Sequence, residues 1–504
     1  MRDIHDILTG GADAAPAIGA PGRAPLTYGG LRALAADTAA VLNGWGIGRG
    51  DRVAIVLPNG PEMAAAFVAI ATAASTAPLN PAYREDEFDF YLSDLNARAL
   101  VVPAGADGPA RAVAARRGIP VLELADDPEA PAGTFTLAGG AAAAAANPGP
   151  SQADDEGLVL HTSGTTSRPK IVPLAQRNLA ASAGHIGATL HLTPEDRCLN
   201  IMPLFHIHGL IAGVLTTLAA GAQIVCAPGF NALKVFAWLD EVRPTWYTAV
   251  PTMHQAILSR AARNPDVVAA LDLRFVRSSS SSLPPPVMAE LEQTFGCPVI
   301  EAYGMTEAAH QMASNQLPPG QRKPGTVGPA AGPEVAIMDT AGQILPQGAT
   351  GEIVIRGPNV FSGYEANPAA NAEAFADGWF RTGDQGVLDG DGFLTITGRL
   401  KEIINRGGEK IAPREVDDVI QAHPAVDQVV TFALPHPKLG EEVAAVVVLK
   451  EGATADEREL RDFAAAKLAD FKVPRTILFR DEIPKGATGK LQRIGLADKL
   501  GLTG

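Results

Sequence analysis

Cysteine is scarce in this 504-residue chain: Cys198, Cys226 and Cys297 stand far apart with no metal-type spacing, which speaks against a cysteine metal site and fits a reducing compartment. Each reads as core filler. The ten histidines form no zinc signature; His206 and His208 sit two apart and no HExxH occurs. No stretch approaches the roughly 20 uninterrupted apolar residues that span a bilayer, so no membrane span is expected. The opening Met1-Arg2-Asp3-Ile4-His5-Asp6 puts acids where a secretory signal would carry basic residues and an apolar run, and Leu502-Thr503-Gly504 is not a Ser-Lys-Leu address. A cytoplasmic location is the expectation. Positive charge is in deficit: the net charge of −14 argues against a nucleic-acid partner, while local basic pockets for phosphate remain compatible with it.

What is present is length and alternation. A chain of 504 residues exceeds the size at which one core keeps growing, so at least two domains are expected. From Asp51 a short strand (Val53 to Leu57), a small-residue helix (about Pro61 to Thr72) and a strand at Ala99 to Val102 set up a strand–helix rhythm that predicts a parallel sheet. The alanine-rich stretch from Ala138 to Pro150 reads as a surface connection. Strands follow at Leu158 to Leu160, Asn200 to Met202, Ile224-Val225, Trp246 to Thr248, Arg274 to Val276 and Pro298 to Ile300. Beyond Gly325 the strands shorten and glycines multiply, as in a small β subdomain, for example Gly351 to Arg356. After Gly398-Arg399-Leu400-Lys401 comes a last segment of about one hundred residues, the size of a small separate domain.

Four stretches carry chemistry. HTSGTTSRPK, His161 to Lys170, follows an apolar strand; glycine and small hydroxyl residues let backbone N–H groups approach an anion, and a lysine adds charge. It is a credible phosphate cradle, although not a Walker loop, because Gly-Lys-Ser/Thr is absent. In EAYGMTEAAH, Glu301 to His310, Tyr303 offers a face for a purine, Thr306 a hydroxyl for a phosphate oxygen, and Glu307 a hard oxygen ligand for Mg²⁺. Alone it could be a strand followed by a helix cap. The third stretch runs from Arg381 to Lys410, where Asp384 is a bidentate acceptor suited to a cis-diol, while Asp389 and Asp391 read as turn acids. The fourth is IPKGATGKLQR, Ile483 to Arg493, with Lys490 after its second glycine.

In this order the four stretches resemble the adenylate-forming superfamily of acyl-CoA synthetases, peptide-synthetase adenylation domains and luciferases, across residues 161 to 493. The resemblance implies an α/β fold: a large N-terminal domain of α/β subdomains plus a small β subdomain (1–398), a hinge (399–403) and a small mobile α+β C-terminal domain (404–504) carrying the catalytic lysine. It implies that Thr162, Ser163, Gly164, Thr165, Thr166 and Lys170 wrap ATP phosphates, with Ser167 standing where the family usually has glycine. Ser281, Ser282, Glu301, Ala302 and Tyr303 would flank the adenine, Asp384 and Arg399 the ribose and its phosphate. Catalysis would fall to Lys490, Thr306, Glu307 and the gate residue His206, with Glu307 as the metal ligand. Lys401 matches the hinge residue, and Arg406, Gly407 and Gly408 the loop beside the CoA tunnel. ATP, Mg²⁺ and CoA are the implied cofactor and substrates.

The acid pocket is unusually polar for a fatty or aromatic substrate, whose site would be chiefly apolar. PLFHIHGL supplies His208, the run Arg277 to Leu283 supplies Ser280, and His310 closes the second motif. Malonate-activating relatives carry an arginine before the motif tyrosine; Ala302 stands there instead. The combination most resembles the oxalate:CoA ligase branch, so the expected reaction is oxalate, ATP and CoA to oxalyl-CoA, AMP and pyrophosphate. A ligase for another short- or medium-chain acid, or a stand-alone adenylation enzyme serving a carrier protein, remains the alternative. With fourteen residues after Lys490, a carrier domain in cis is not expected. A luciferase-like oxygenase is disfavoured by the histidines and serines, and a retired nucleotide-binding protein by the joint presence of Lys170, Glu307, Asp384, Arg399 and Lys490. The partners implied are a small carboxylic acid, ATP and CoA, with no nucleic acid, membrane or obligate protein partner.

Overall fold

Short apolar strands that alternate with small-residue helices build two largely parallel sheets, and a helix with almost no polar face lies between them. That helix, Pro61–Ala71, starts on a proline and buries every residue except Glu62, as expected of a helix apolar all round. Its alanines let it approach strands of both sheets. The computed structural model describes residues 1–162, 169–484 and 491–502. Among them one sheet has seven strands, in the order Phe135–Ala138, Val121–Asp126, Ala99–Pro103, Arg52–Ile55, Ser75–Pro78, Glu156–His161 and Ile171–Ala175. Its edge pairs are antiparallel and its inner pairs parallel.

The second sheet has eight strands among the described residues: His310–Ser314, Val299–Met305, Phe275–Ser278, Trp246–Ala249, Arg197–Asn200, Gln223–Cys226, Pro16–Ala20 and Arg23–Thr27. The inner pairings are again parallel. In open α/β sheets ligands gather outside the carboxyl ends of such strands, and the serine run and the PLFHIHGL stretch both lie just beyond one. The alanine-rich stretch is largely exposed, pinned by a bridge between Trp45 and Ala143.

An antiparallel sheet follows, in which Thr350–Arg356 pairs with Glu334–Met338 and Trp379–Leu388, and Leu394–Arg399 adds to the last. The smaller C-terminal domain is built on Val426–His436 and Gly440–Leu449, with Ile404–Arg406 and Thr476–Phe479 alongside. Residues along Gly440–Leu449 are apolar on both faces. Val443, Ala445 and Val447 pack under the helices Pro413–Gln421 and Glu457–Ala465, while Ala444 and Val446 pack against Ile483 and Leu496. Mixed α/β architecture with a large and a small domain is therefore what the fold shows. No helix among the described residues is long and apolar enough to cross a membrane.

Candidate active site

Strand Val299–Met305 runs into a single 3-10 turn, Thr306–Ala308, then reverses into His310–Ser314. The reversal needs a left-handed backbone at Ala309 (φ 45°) and His310 (φ 101°), conformations that non-glycine residues seldom adopt and that concentrate at functional sites. Thr306 and Glu307 sit at its tip. The Glu307 carboxyl is buried and is pushed up from the ordinary glutamate range chiefly by that burial. Tyr364, reached from far along the chain, donates its hydroxyl to Glu307 Oε1 at 2.8 Å. Lys170 Nζ lies 4.0 Å from the centroid of the Tyr364 ring, and burial shifts its ammonium down, with Glu307 opposing. The base of the HTSGTTSRPK stretch is thereby joined to the YGMTE turn.

That stretch connects the antiparallel strands Glu156–His161 and Ile171–Ala175. Its neck is closed by Thr162 N–H to Lys170 O at 2.9 Å and Lys170 N–H to Thr162 Oγ1 at 3.2 Å. Ser163, Gly164, Thr165, Thr166 and Lys490 lie outside the described residues.

Asp384 and Arg399 are register partners on neighbouring strands. Arg399 Nε donates to Asp384 Oδ1 at 2.9 Å, and Tyr303 donates its hydroxyl to Asp384 Oδ2. Both oxygens of this buried carboxylate are thus engaged, and Asp384 raises the Arg399 guanidinium further. Glu301 turns inward: it is 1% exposed, Oε1 accepts from Leu283 N–H at 2.9 Å, and burial pushes its carboxyl up to about 7, with Arg414 opposing. Ala302 contributes its carbonyl, which accepts from Ser279 Oγ at 2.8 Å. These two contacts dock the serine run on the motif strand, leaving Ser281 exposed and Ser282 half-buried. Asp389 accepts from the backbone of Asp391 and Phe393, and Lys323 clamps both acids at 2.6 and 2.7 Å, as turn acids do.

His208, Ser280 and His310 come together as one cluster. His208 opens the π-helix His208–Leu215, a rare geometry that recurs at functional sites. Its Nδ1 lies 2.9 Å from Ser280 Oγ, its Nε2 2.6 Å from Thr248 Oγ1, and its ring meets that of His310 edge to face at 4.9 Å. Ser280 also holds a left-handed backbone, φ 73°. Behind the cluster Arg277 is fully buried, its Nη1 3.4 Å from His208 Nε2 and its Nη2 donating to Gln311 Oε1 at 3.2 Å. His206 lies half-buried against Phe205, ring centroids 4.9 Å apart.

A family model for AMP-binding enzymes matches residues 11–365, and one for the AMP-binding enzyme C-terminal domain matches 415–490. The chain belongs to the AMP-binding enzyme family. An oxalate–CoA ligase of Arabidopsis thaliana is 44% identical over 495 residues, covering 95% of this chain and 94% of that protein. The oxalate–CoA ligase of Saccharomyces cerevisiae is 43% identical over 475 residues, covering 89% and 87%. Among solved structures, ATP-bound MatB from Rhodopseudomonas palustris superposes with a TM-score of 0.88 at 32% identity over 99% of both chains.

Within this AMP-binding enzyme, Asp384, Arg399 and residues 399–403 fall between the two matched segments, and Lys490 closes the second. Lys401 is exposed in the 3-10 turn Leu400–Glu402, whose Glu402 is tied to Arg493 at 3.3 Å. Arg406 pairs with Glu442 at 2.5 Å. Gly407 (φ 61°) and Gly408 (φ 99°) form the two-residue turn between Ile404–Arg406 and Glu409–Ile411, which alone requires two left-handed residues. Tyr364, Thr248 and Gln311 escaped the sequence reading: Thr248 and Gln311 reach the cluster through sheet pairing, and Tyr364 reaches Glu307 from a connection outside any strand. Arg277 carried a signal: a charge at the end of the apolar pair Phe275-Val276.

Proposed function

We propose that the protein is an ATP-dependent acid:CoA ligase whose acid is oxalate, with ATP and CoA as its other substrates. In the first step a carboxylate oxygen attacks the α-phosphorus of ATP and pyrophosphate leaves, giving an acyl-adenylate. In the second the CoA sulfur attacks the acyl carbon and AMP leaves. Lys490 stabilises the first transfer, in which nucleophile and phosphoryl group are both anionic. Asp384 and Arg399 hold the ribose and its phosphate, and Ser281, Ser282, Glu301, Ala302 and Tyr303 form the adenine wall. Thr162 to Thr166 and Lys170 hold the outer phosphates. Glu307 fits Mg²⁺: a nucleotide-bound magnesium takes one or two carboxylates plus phosphate oxygens, and a buried carboxyl beside the Thr306 hydroxyl offers that donor set. The ion would neutralise phosphate charge. Residues 404–504 act as a mobile unit that pivots at Lys401 within 399–403 and brings Arg406, Gly407 and Gly408 to CoA after adenylation. A cytoplasmic location goes with these substrates.

The observation that carries the oxalate reading is the polar cluster of His208, Ser280 and His310 beside the YGMTE turn. Oxalate keeps its second carboxylate one bond beyond the reacting carbon, within reach of such donors. The resemblance to named oxalate–CoA ligases supports the same acid. Oxalate-dependent ATP–pyrophosphate exchange tests the first step without CoA. Exchange driven by oxalate supports the reading, and exchange driven only by longer monocarboxylates contradicts it.

A further inference from the structure

Arg277 sits on strand Phe275–Ser278 with no solvent exposure, yet no carboxylate among the described residues pairs with it. Its partners among the described residues are neutral: Gln311 Oε1 at 3.2 Å, Thr248 Oγ1 at 3.5 Å and His208 Nε2 at 3.4 Å, while its Nε has none among them. A buried charge without a counter-charge is costly, and burial lowers the guanidinium to about 9. It still carries its charge at neutral pH. An anion arriving nearby would offset that cost.

Hydrogen directions follow from the donors. A guanidinium only donates, so where Arg277 Nη1 faces His208 Nε2 that nitrogen carries the ring's lone pair and the hydrogen sits on Nδ1. Thr248 then accepts from Arg277 and donates to Nε2 across 2.6 Å. His208 Nδ1–H donates to Ser280 Oγ at 2.9 Å, which turns the Ser280 hydroxyl hydrogen away from the histidine. The left-handed backbone of Ser280 holds it in that position.

We infer that Arg277 is the positioning residue that selects a doubly charged acid: acting through Thr248 and His208, it sets Ser280 as an outward donor and supplies the positive charge that balances the second carboxylate. The inference rests on the oxalate reading. It answers the gap at Ala302, because the cation lies one strand away, where Arg277 is in register with Ile300.

The test uses purified full-length protein, with oxalate and acetate as paired substrates and ATP affinity as the check on folding. Arg277→Met is expected to lower kcat/KM for oxalate by about 10- to 100-fold, the size of a lost charge-assisted hydrogen bond, mainly through KM. Acetate should change by less than about threefold, since it presents no second carboxylate to leave unbalanced. Arg277→Lys should recover part of the oxalate activity, and Thr248→Val, which keeps the cation and breaks the relay, should also lose oxalate selectively. Equal loss with both acids at unchanged ATP affinity, or an unchanged oxalate preference in Arg277→Met, overturns the inference alone. If Arg277→Met fails to fold, Thr248→Val decides: no selective loss overturns it. A wild-type preference for acetate overturns the oxalate reading and this inference together.

Discussion

Glu301 is a carboxyl placed where water does not reach, and its position has a consequence for stability. Because burial raises it to about 7, the native chain holds a proton that the unfolded chain has released. Between the ordinary glutamate range and pH about 7 the native state binds more protons, so this group's contribution to stability falls as pH rises through that window. Glu301→Gln keeps an acceptor for Leu283 N–H without the charge, and should stabilise the protein at pH about 8 by about 1–3 kcal/mol while adding little at pH about 5. Denaturant unfolding at both values checks this; an equal effect at the two would show that Arg414 already keeps the carboxylate ionised. For Lys490→Ala, adenylate formation should slow by roughly 10²–10³ or more, while thioester formation from supplied acyl-adenylate and CoA is largely spared. Rapid-quench measurement of each half-reaction separates them, and an equal fall in both with the fold intact would refute the division of labour. At this scale the sequence exposed residues inside contiguous motifs, such as Glu307 and Asp384. It hid Tyr364, because an isolated tyrosine in Ser-Gly-Tyr-Glu gives no sign that its hydroxyl meets Glu307.

Among elements, the hinge proposed at 399–403 makes the sharpest prediction. Glu402, inside the proposed hinge 399–403, is bound to Arg493, which also holds Asp417 at 2.6 Å. The proposed pivot is Lys401, the neighbour of that anchored residue. Lys401→Pro fixes φ near about −65° and should restrict rotation, leaving pyrophosphate exchange active and CoA-thioester turnover strongly reduced. Normal thioester turnover in this variant would refute the rotation. Periodicity located the elements well where the apolar run and the ladder coincide, as at Trp246–Ala249. It misplaced others by a few residues. The run Asn200 to Met202 continues past the ladder, which spans Arg197–Asn200, because Ile201 and Met202 are buried beyond the last pair. Phe275–Ser278 extends into the serines, whose burial comes from the neighbouring strands and not from their own polarity. The π-helix at His208 has no signature in an apolar stretch that suits any helix.

At the scale of the whole molecule, side chains from three sheets join at the YGMTE turn: Lys170 through Tyr364 to Glu307, Asp384 and Arg399 through Tyr303, and His208 with Ser280 through His310. The central claim is that the acid end of this arrangement is built for oxalate. Sites that hydrogen-bond a polar group reject analogues lacking it by large factors, because their own buried donors are then left unpaired. The most direct measurement is therefore kcat/KM for CoA-thioester formation by the wild-type protein across oxalate, malonate, acetate, hexanoate and coumarate. Oxalate should exceed every other acid, with acetate the sharpest contrast, and His208→Ala and His310→Ala should each reduce oxalate use more than acetate use. Hexanoate or coumarate outperforming oxalate would contradict the account of the acid site while leaving the ligase chemistry in place.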